Sequence, residues 1–167
     1  MDIDGTLTDG LIYYLPSGGA GGKPRFIETK GFHSRDGLGL RLAHEAGLRT
    51  GVISGRTSPI VEYRLKELGI EYLELNVLEK LAPYERILKL AQVSRNQVCY
   101  VGDDVVDLPV LKRVGLAVGV GDGHTALRRH VHYWTRQPGG VGAVREVIEL
   151  ILTAQGKLEG ALRPFLS

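Results

Sequence analysis

Cysteine, methionine and tryptophan each occur only once, and aromatic residues make up 7% of the chain. A lone cysteine excludes an internal disulfide and fits a reducing, cytoplasmic compartment. Cys99 sits in the apolar run Val98-Cys99-Tyr100-Val101, where it reads as a small buried hydrophobe without chemistry. No apolar run is long enough for a membrane span, and the opening residues are acidic rather than basic and apolar, so neither a span nor a signal peptide is expected. Excess charge of one sign is scarce as well. The net charge is +2, and Lys and Arg are scattered without a basic stripe, so nucleic acid is not an expected partner. With 43% hydrophobic and 24% charged residues among 167, the chain has the make-up of one soluble domain over residues 1–167 with its own core.

Against this background, two acidic clusters stand out. The first is Met1-Asp2-Ile3-Asp4-Gly5-Thr6-Leu7-Thr8-Asp9, and the second is Gly102-Asp103-Asp104-Val105-Val106-Asp107. Carboxylates this dense repel one another, and a bound cation relieves the repulsion. The pairing predicts a magnesium-dependent phosphoryl-transfer site.

From residue 36 onward, short apolar runs alternate with amphipathic segments. Asp36 is expected to cap a helix carrying Leu38, Leu42 and Ala46 and stopping at Gly47. Ser58-Pro59 predicts a helix start, and Val61, Leu65 and Leu68 continue it to Gly69. Tyr84, Ile87, Leu88 and Ala91 mark a third helix, residues 106–113 a fourth, and Val144, Val147, Ile148, Ile151 and Leu152 a last one. Strands are expected over residues 48–53, 70–75, 98–101, 116–120 and 131–135. The alternation predicts an α/β fold, a Rossmann-like parallel sheet with helices on both faces. Residues 10–32 break the pattern. Leu11–Leu15 and Arg25–Thr29 read as the arms of a protruding β-hairpin, joined by a Gly- and Pro-rich flexible loop over 16–24. The tail, residues 155–167, carries few core signals.

Ligands of such sheets sit at the carboxyl ends of the strands, where both acidic clusters, Ser54 and Lys80 fall. Asp2 and Asp4 can reach one pocket as the chain turns at Gly5, one attacking phosphorus and the other shuttling a proton. Asp103 adds a hard oxygen ligand, as Mg²⁺ prefers. Ser54 offers a hydroxyl and neighbouring amides to phosphate oxygens, and Lys80 offers a point charge. Taken singly, each has a plainer reading: Asp103-Asp104 as a helix-capping turn, Lys80 as a solvated helix residue, Ser54 as a turn hydroxyl, and Arg35 and Arg56 as surface ion pairs. The five histidines lack metal-ligand spacing with Cys99 and read as structural or exposed.

In order, Asp2-x-Asp4-Gly5-Thr6, Ser54-Gly55-Arg56, Lys80 and Gly102-Asp103-Asp104-x-x-Asp107 resemble the motifs of the haloacid dehalogenase superfamily. Leu7-Thr8-Asp9-Gly10, Phe32-His33-Ser34-Arg35-Asp36-Gly37-Leu38-Gly39, residues 139–146 and residues 154–158 are similar to one branch, the 3-deoxy-D-manno-octulosonate 8-phosphate phosphatases. This resemblance implies Asp2 as nucleophile and Asp4 as general acid and base. It implies Mg²⁺ held by the Asp2 carboxylate, the Asp4 carbonyl and Asp103. Asp104 and Asp107 would support the site from behind, with Asp107 orienting a water or Lys80. Thr6, Asp9, Arg35, Gly55 and Arg56 would contact a sugar phosphate. The product would be a free sugar acid for lipopolysaccharide synthesis. Alternatives are a phosphatase for a related nonulosonate 9-phosphate, one of broad small-molecule range, or a non-catalytic tetramerisation module.

Cap domains of this superfamily are inserted after the first motif or between the second and third, where this chain has room only for the hairpin and for one helix and strand. A molecule without a cap domain is implied, closed instead by neighbours in a homotetramer. Two features depart from the family. The hairpin loop is longer than the usual turn. Met1 directly precedes Asp2, so the apolar residues of the family's central strand are absent from this sequence: either the natural chain starts earlier or the sheet is built differently, and a natural chain that started here would have a weakened fold and a loosely held nucleophile.

Overall fold

The computed structural model describes residues 1–18 and 25–166. The loop expected over 16–24 therefore falls largely outside the described residues; Pro16, Ser17 and Gly18 are described, the first two as the end of a strand. That strand, β1 (Tyr13–Ser17), pairs antiparallel with β2 (Arg25–Thr29), with Leu15 opposite Ile27. Proline is tolerated in a two-stranded ribbon because every position there is an edge. The hairpin is fastened at its base by an antiparallel bridge between Thr8 and Phe32.

The remaining elements alternate as expected: α1 (Ser34–Glu45), β3 (Gly51–Ile53), α2 (Pro59–Glu67), β4 (Tyr72–Glu74), α3 (Leu81–Ala91), β5 (Cys99–Gly102), α4 (Leu108–Leu111), β6 (Leu116–Gly119), β7 (Tyr133–Trp134), α5 (Ala143–Ala154) and α6 (Leu158–Leu162). β3 pairs parallel with β4, and β5, β6 and β7 form a parallel trio. Met1 and Asp2 join the two groups. The Met1 amine donates to the Gly51 carbonyl at 3.0 Å, the Ile53 amide to the Met1 carbonyl at 3.0 Å, and the Asp2 amide to the Val101 carbonyl at 2.9 Å. The order across the sheet is β4, β3, Met1-Asp2, β5, β6, β7. This short stretch lies beside β3 from Gly51 to Ile53 and meets β5 at Val101. Behind it lies a cavity of about 910 Å³, lined by Met1, Gly51, Leu88, Cys99 and Ile151 among others. Asp2 itself is buried and tied to β5 through its amide.

Side-chain alternation along the strands divides the core between the two faces. Val52 faces α1, α2 and α5 together with Ile3, Leu40, Leu65, Ile148 and Leu152. Ile53 and Tyr100 face α3 and α4 with Tyr84, Leu88, Val110 and Leu111. Val101, next along β5, turns back to Val118, Ala143 and Val147. Helices therefore cover both faces, with no cap domain among the described residues. Among them, no helix is long and apolar enough to cross a membrane.

Several local expectations need correction. α1 is capped by His33, whose Nδ1 accepts from the Arg35 amide at 3.1 Å. Asp36 lies inside the first turn and binds elsewhere. Ser58 precedes Pro59 as expected, but its hydroxyl makes no cap bond. The helix expected over 106–113 is instead a 3₁₀ turn, Val105–Asp107, closing the second acidic cluster, followed by the short α4. The tail does carry core residues: Leu158, Ala161 and Leu162 pack on the first cluster.

Candidate active site

The local fold explains why the two acidic clusters meet. Asp2 leaves the sheet at the carboxyl edge, and Gly5 then turns the chain with φ +93°. A Cβ on Gly5 would lie 2.2 Å from Asp103 Oδ2, so the first cluster passes Asp103 closely only because glycine stands there. The loop over 137–142 presses on the same turn. A Cβ on Gly139 would sit 1.7 Å from the Gly5 carbonyl oxygen. Asp103 follows β5, one strand from Asp2.

The carboxylates of Asp2, Asp103 and Asp107 offer oxygens all within 4.8 Å of one another. Lys80, the residue before α3, reaches across with its side chain 2% exposed and donates to Asp2 Oδ1 at 2.5 Å and Asp107 Oδ1 at 2.7 Å. Asp107 is fully engaged. Its Oδ1 also accepts from the Tyr100 hydroxyl at 2.8 Å, and its Oδ2 from the Asp103 and Asp104 amides at 3.0 and 3.3 Å. Thr6 Oγ1, itself buried, donates to Asp103 Oδ1 at 3.2 Å.

The electrostatics are those of an anionic hole with one cation. Burial would lower the Lys80 pKa, but the charges of Asp2 and Asp107 together hold it above its usual value. Burial pushes the Asp2 carboxyl up, Lys80 draws it down, Asp107 adds to the rise, and the net direction is upward. Asp103 is pushed up to about 8 by burial and by the charges of Asp2 and Asp107. Three carboxylates facing one ammonium leave two formal negative charges uncompensated when all are ionised; a divalent cation supplies the matching charge, and hard oxygen donors of this kind suit it.

Other residues singled out in the sequence lie at measured places. Ser54, buried at the end of β3, accepts from the Arg56 amide at 3.2 Å through Oγ, which leaves its own proton to donate. Gly55 lies against Leu78. The Asp4 carboxylate is not in the triad; its Oδ1 takes Lys30 Nζ at 2.5 Å. Asp9 Oδ1 closes a turn with the Leu11 amide, and Asp104 Oδ1 caps the 3₁₀ turn at the Val105 amide. Arg56 is exposed and pairs with Glu28 at 3.4 Å. Arg35 lies on an exposed turn of α1, in a separate cleft with Arg136 and Arg145. Burial pushes the Cys99 thiol up to about 12, which disfavours the thiolate.

Sequence reasoning missed Lys30, Glu28 and Tyr100. The usable signal for the first two is the strand period, which puts residues 28 and 30 on one face of β2 as it continues.

A family model described as haloacid dehalogenase-like hydrolase matches residues 36–115. The 3-deoxy-D-manno-octulosonate 8-phosphate phosphatase KdsC of Yersinia pestis is 44% identical over 160 residues, which span 96% of this chain and 81% of that protein. The KdsC of Escherichia coli K12 is 43% identical over 161 residues, with the same coverage of 96% and 81%. Among solved structures, the Moraxella catarrhalis phosphatase of the same name, in complex with magnesium, phosphate and KDO, superposes with a TM-score of 0.90. It is 36% identical, with 98% of this chain and 90% of that one covered. The chain belongs to the haloacid dehalogenase-like hydrolases, in the branch of the KdsC phosphatases, and is a phosphoric monoester hydrolase.

Proposed function

We propose that this phosphatase hydrolyses 3-deoxy-D-manno-octulosonate 8-phosphate to the sugar acid and phosphate, with Mg²⁺ and through an aspartyl-phosphate. The reaction would supply a lipopolysaccharide precursor in the cytoplasm. The observation that carries the reading is the meeting of Asp2, Lys80 and Asp103 at the carboxyl edge of the sheet.

Asp103 would hold the metal together with Asp2 Oδ1, which has lone-pair capacity beside its bond from Lys80, whereas Asp107 is saturated by Lys80, Tyr100 and two amides. When bound, Mg²⁺ neutralises the phosphate charge and lets an anionic nucleophile approach phosphorus. The protein groups do the rest. Lys80 pins Asp2 Oδ1 and leaves Oδ2 to attack phosphorus. Two of the three Lys80 N–H bonds are committed, and the third can meet a phosphate oxygen. Ser54 donates its free proton to another, beside the Gly55 amide. As the bond from phosphorus to the sugar oxygen breaks, Asp4 gives that oxygen a proton. Asp4 then takes a proton from water as the water oxygen displaces Asp2 from phosphorus. Thr6 holds Asp103 in place. Arg56 and Asp9 are assigned to the sugar acid and Asp104 to the turn behind Asp103, whereas Arg35, in its separate cleft, is not.

Phosphate release from this sugar phosphate should need Mg²⁺ and stop on chelation. Asp2→Asn should abolish it, by about 10⁴-fold or more, because no covalent route remains, while circular dichroism stays unchanged. A fully active Asp2→Asn protein sinks the nucleophile assignment. A higher kcat/KM for a nonulosonate 9-phosphate moves the substrate to that relative.

A further inference from the structure

We infer that Lys30 is a positioning residue: its ammonium holds one oxygen of Asp4 and so leaves the other fixed for the leaving-group oxygen of the substrate. The inference rests on Asp4 being the proton donor and acceptor of the reaction proposed above.

Lys30 directly follows β2, at the base of the hairpin, and its side chain is 0% exposed. A buried lysine is uncommon unless paired, and the partners here are specific. Nζ lies 2.5 Å from Asp4 Oδ1 and 3.6 Å from Glu28 Oε1. Glu28 Oε2 in turn faces Arg56 Nη2 at 3.4 Å, and the Arg56 amide donates to Ser54 Oγ. Alternating charges, Asp4, Lys30, Glu28 and Arg56, thus tie the first acidic motif to the Ser54 loop through the hairpin. Lys30 is separate from the triad, whose ammonium is Lys80.

The consequence is geometric. An unpartnered carboxylate turns about two side-chain torsions, and its carboxyl torsion is broad. A charge-assisted bond to one oxygen removes that freedom and points the other oxygen one way. Proton transfer works only within hydrogen-bond reach, and a misplacement of about 1 Å can reduce the rate about 10²-fold. The loss should be felt where the leaving group needs a proton, as a sugar alkoxide does, and spared where it does not, as with p-nitrophenolate.

The test is the first-turnover rate of leaving-group release with Mg²⁺ present, for 3-deoxy-D-manno-octulosonate 8-phosphate and for p-nitrophenyl phosphate. Lys30→Met should slow the sugar phosphate about 10²-fold and p-nitrophenyl phosphate less than about tenfold, and Lys30→Arg should recover most of the difference. Equal loss on both substrates overturns the inference. Asp4→Asn, run alongside, separates the two levels. If it shows the split and Lys30→Met does not, only the role of Lys30 falls. If Asp4→Asn shows no split, the acid assignment falls and takes this inference with it. Should Lys30→Met not fold, Glu28→Gln loosens Lys30 from its second anchor. A selective, several-fold loss on the sugar phosphate then supports the inference, and an equal loss on both overturns it.

Discussion

Protons and a metal compete for the same oxygens at Asp103. In the metal-free chain, burial and the charges of Asp2 and Asp107 raise its carboxyl from 3.8 to about 8. The folded state therefore binds more protons than the unfolded state between about pH 4 and 8, and stability falls as pH rises through that window. A divalent cation takes the ionised form, so its binding displaces protons below about pH 8. The stabilisation by Mg²⁺, read as the rise in Tm at fixed metal concentration, should grow from pH 5 to pH 8 and then level off. Calorimetric titrations in two buffers of different ionisation enthalpy should show proton release at pH 6.5. A Mg²⁺-induced shift that shrinks as pH rises would contradict the assignment of Asp103 as a ligand.

At the scale of elements, Asp36 joins two helices that are distant in sequence. It is fully buried in α1, and its carboxylate accepts the Gly142 amide at 3.1 Å and the Arg145 amide at 2.8 Å, at the start of α5. Burial raises its pKa, and these amides offset part of the rise. Asp36→Ala leaves both amides without their acceptor, with an expected loss of about 1–3 kcal/mol, seen as a fall in Tm of about 2–4 °C per kcal/mol. Asp36→Asn, which keeps one acceptor oxygen, should lose less. This residue also marks what the sequence could convey. Hydrophobic periods placed α2, α3 and α5, because each helix buries one stripe. The acidic motifs placed the triad, because paired carboxylates at strand ends have few other uses. Asp36 read as a cap for its own helix, since a local partner is the default in a linear reading, whereas its true partners lie at the start of the neighbouring α5, far away in sequence. The Asp4–Lys30 pair was hidden for the same reason: the strand period sets Glu28 and Lys30 on one face, but not which distant residue that face meets. The tail was underrated because Leu158 and Leu162 form less than two helical turns, too short for a stripe to show.

For the molecule as a whole, the hairpin is the part that intramolecular packing does not account for. A two-stranded ribbon is marginal alone in water, yet Tyr14, Leu15, Phe26 and Ile27 are each more than half exposed, Phe26 at 60%. Both faces of the ribbon carry apolar side chains, since Leu15 pairs with Ile27 on one and Pro16 with Phe26 on the other. Exposed apolar surface of this kind on a ribbon is the signature of an interface, and we propose that hairpins of four copies pack together in a homotetramer. Phe26→Lys together with Ile27→Glu alters one residue on each face while keeping the strand exposed and the helical core untouched. Sedimentation of the unchanged chain should then give a tetramer, and of the double variant a monomer or dimer. A monomer in both removes the proposal. Because Glu28 and Lys30 stand at the base of the same ribbon, dissociation should also reach the chemistry. The double variant should lose turnover on the sugar phosphate more than on p-nitrophenyl phosphate, in the same direction as Lys30→Met.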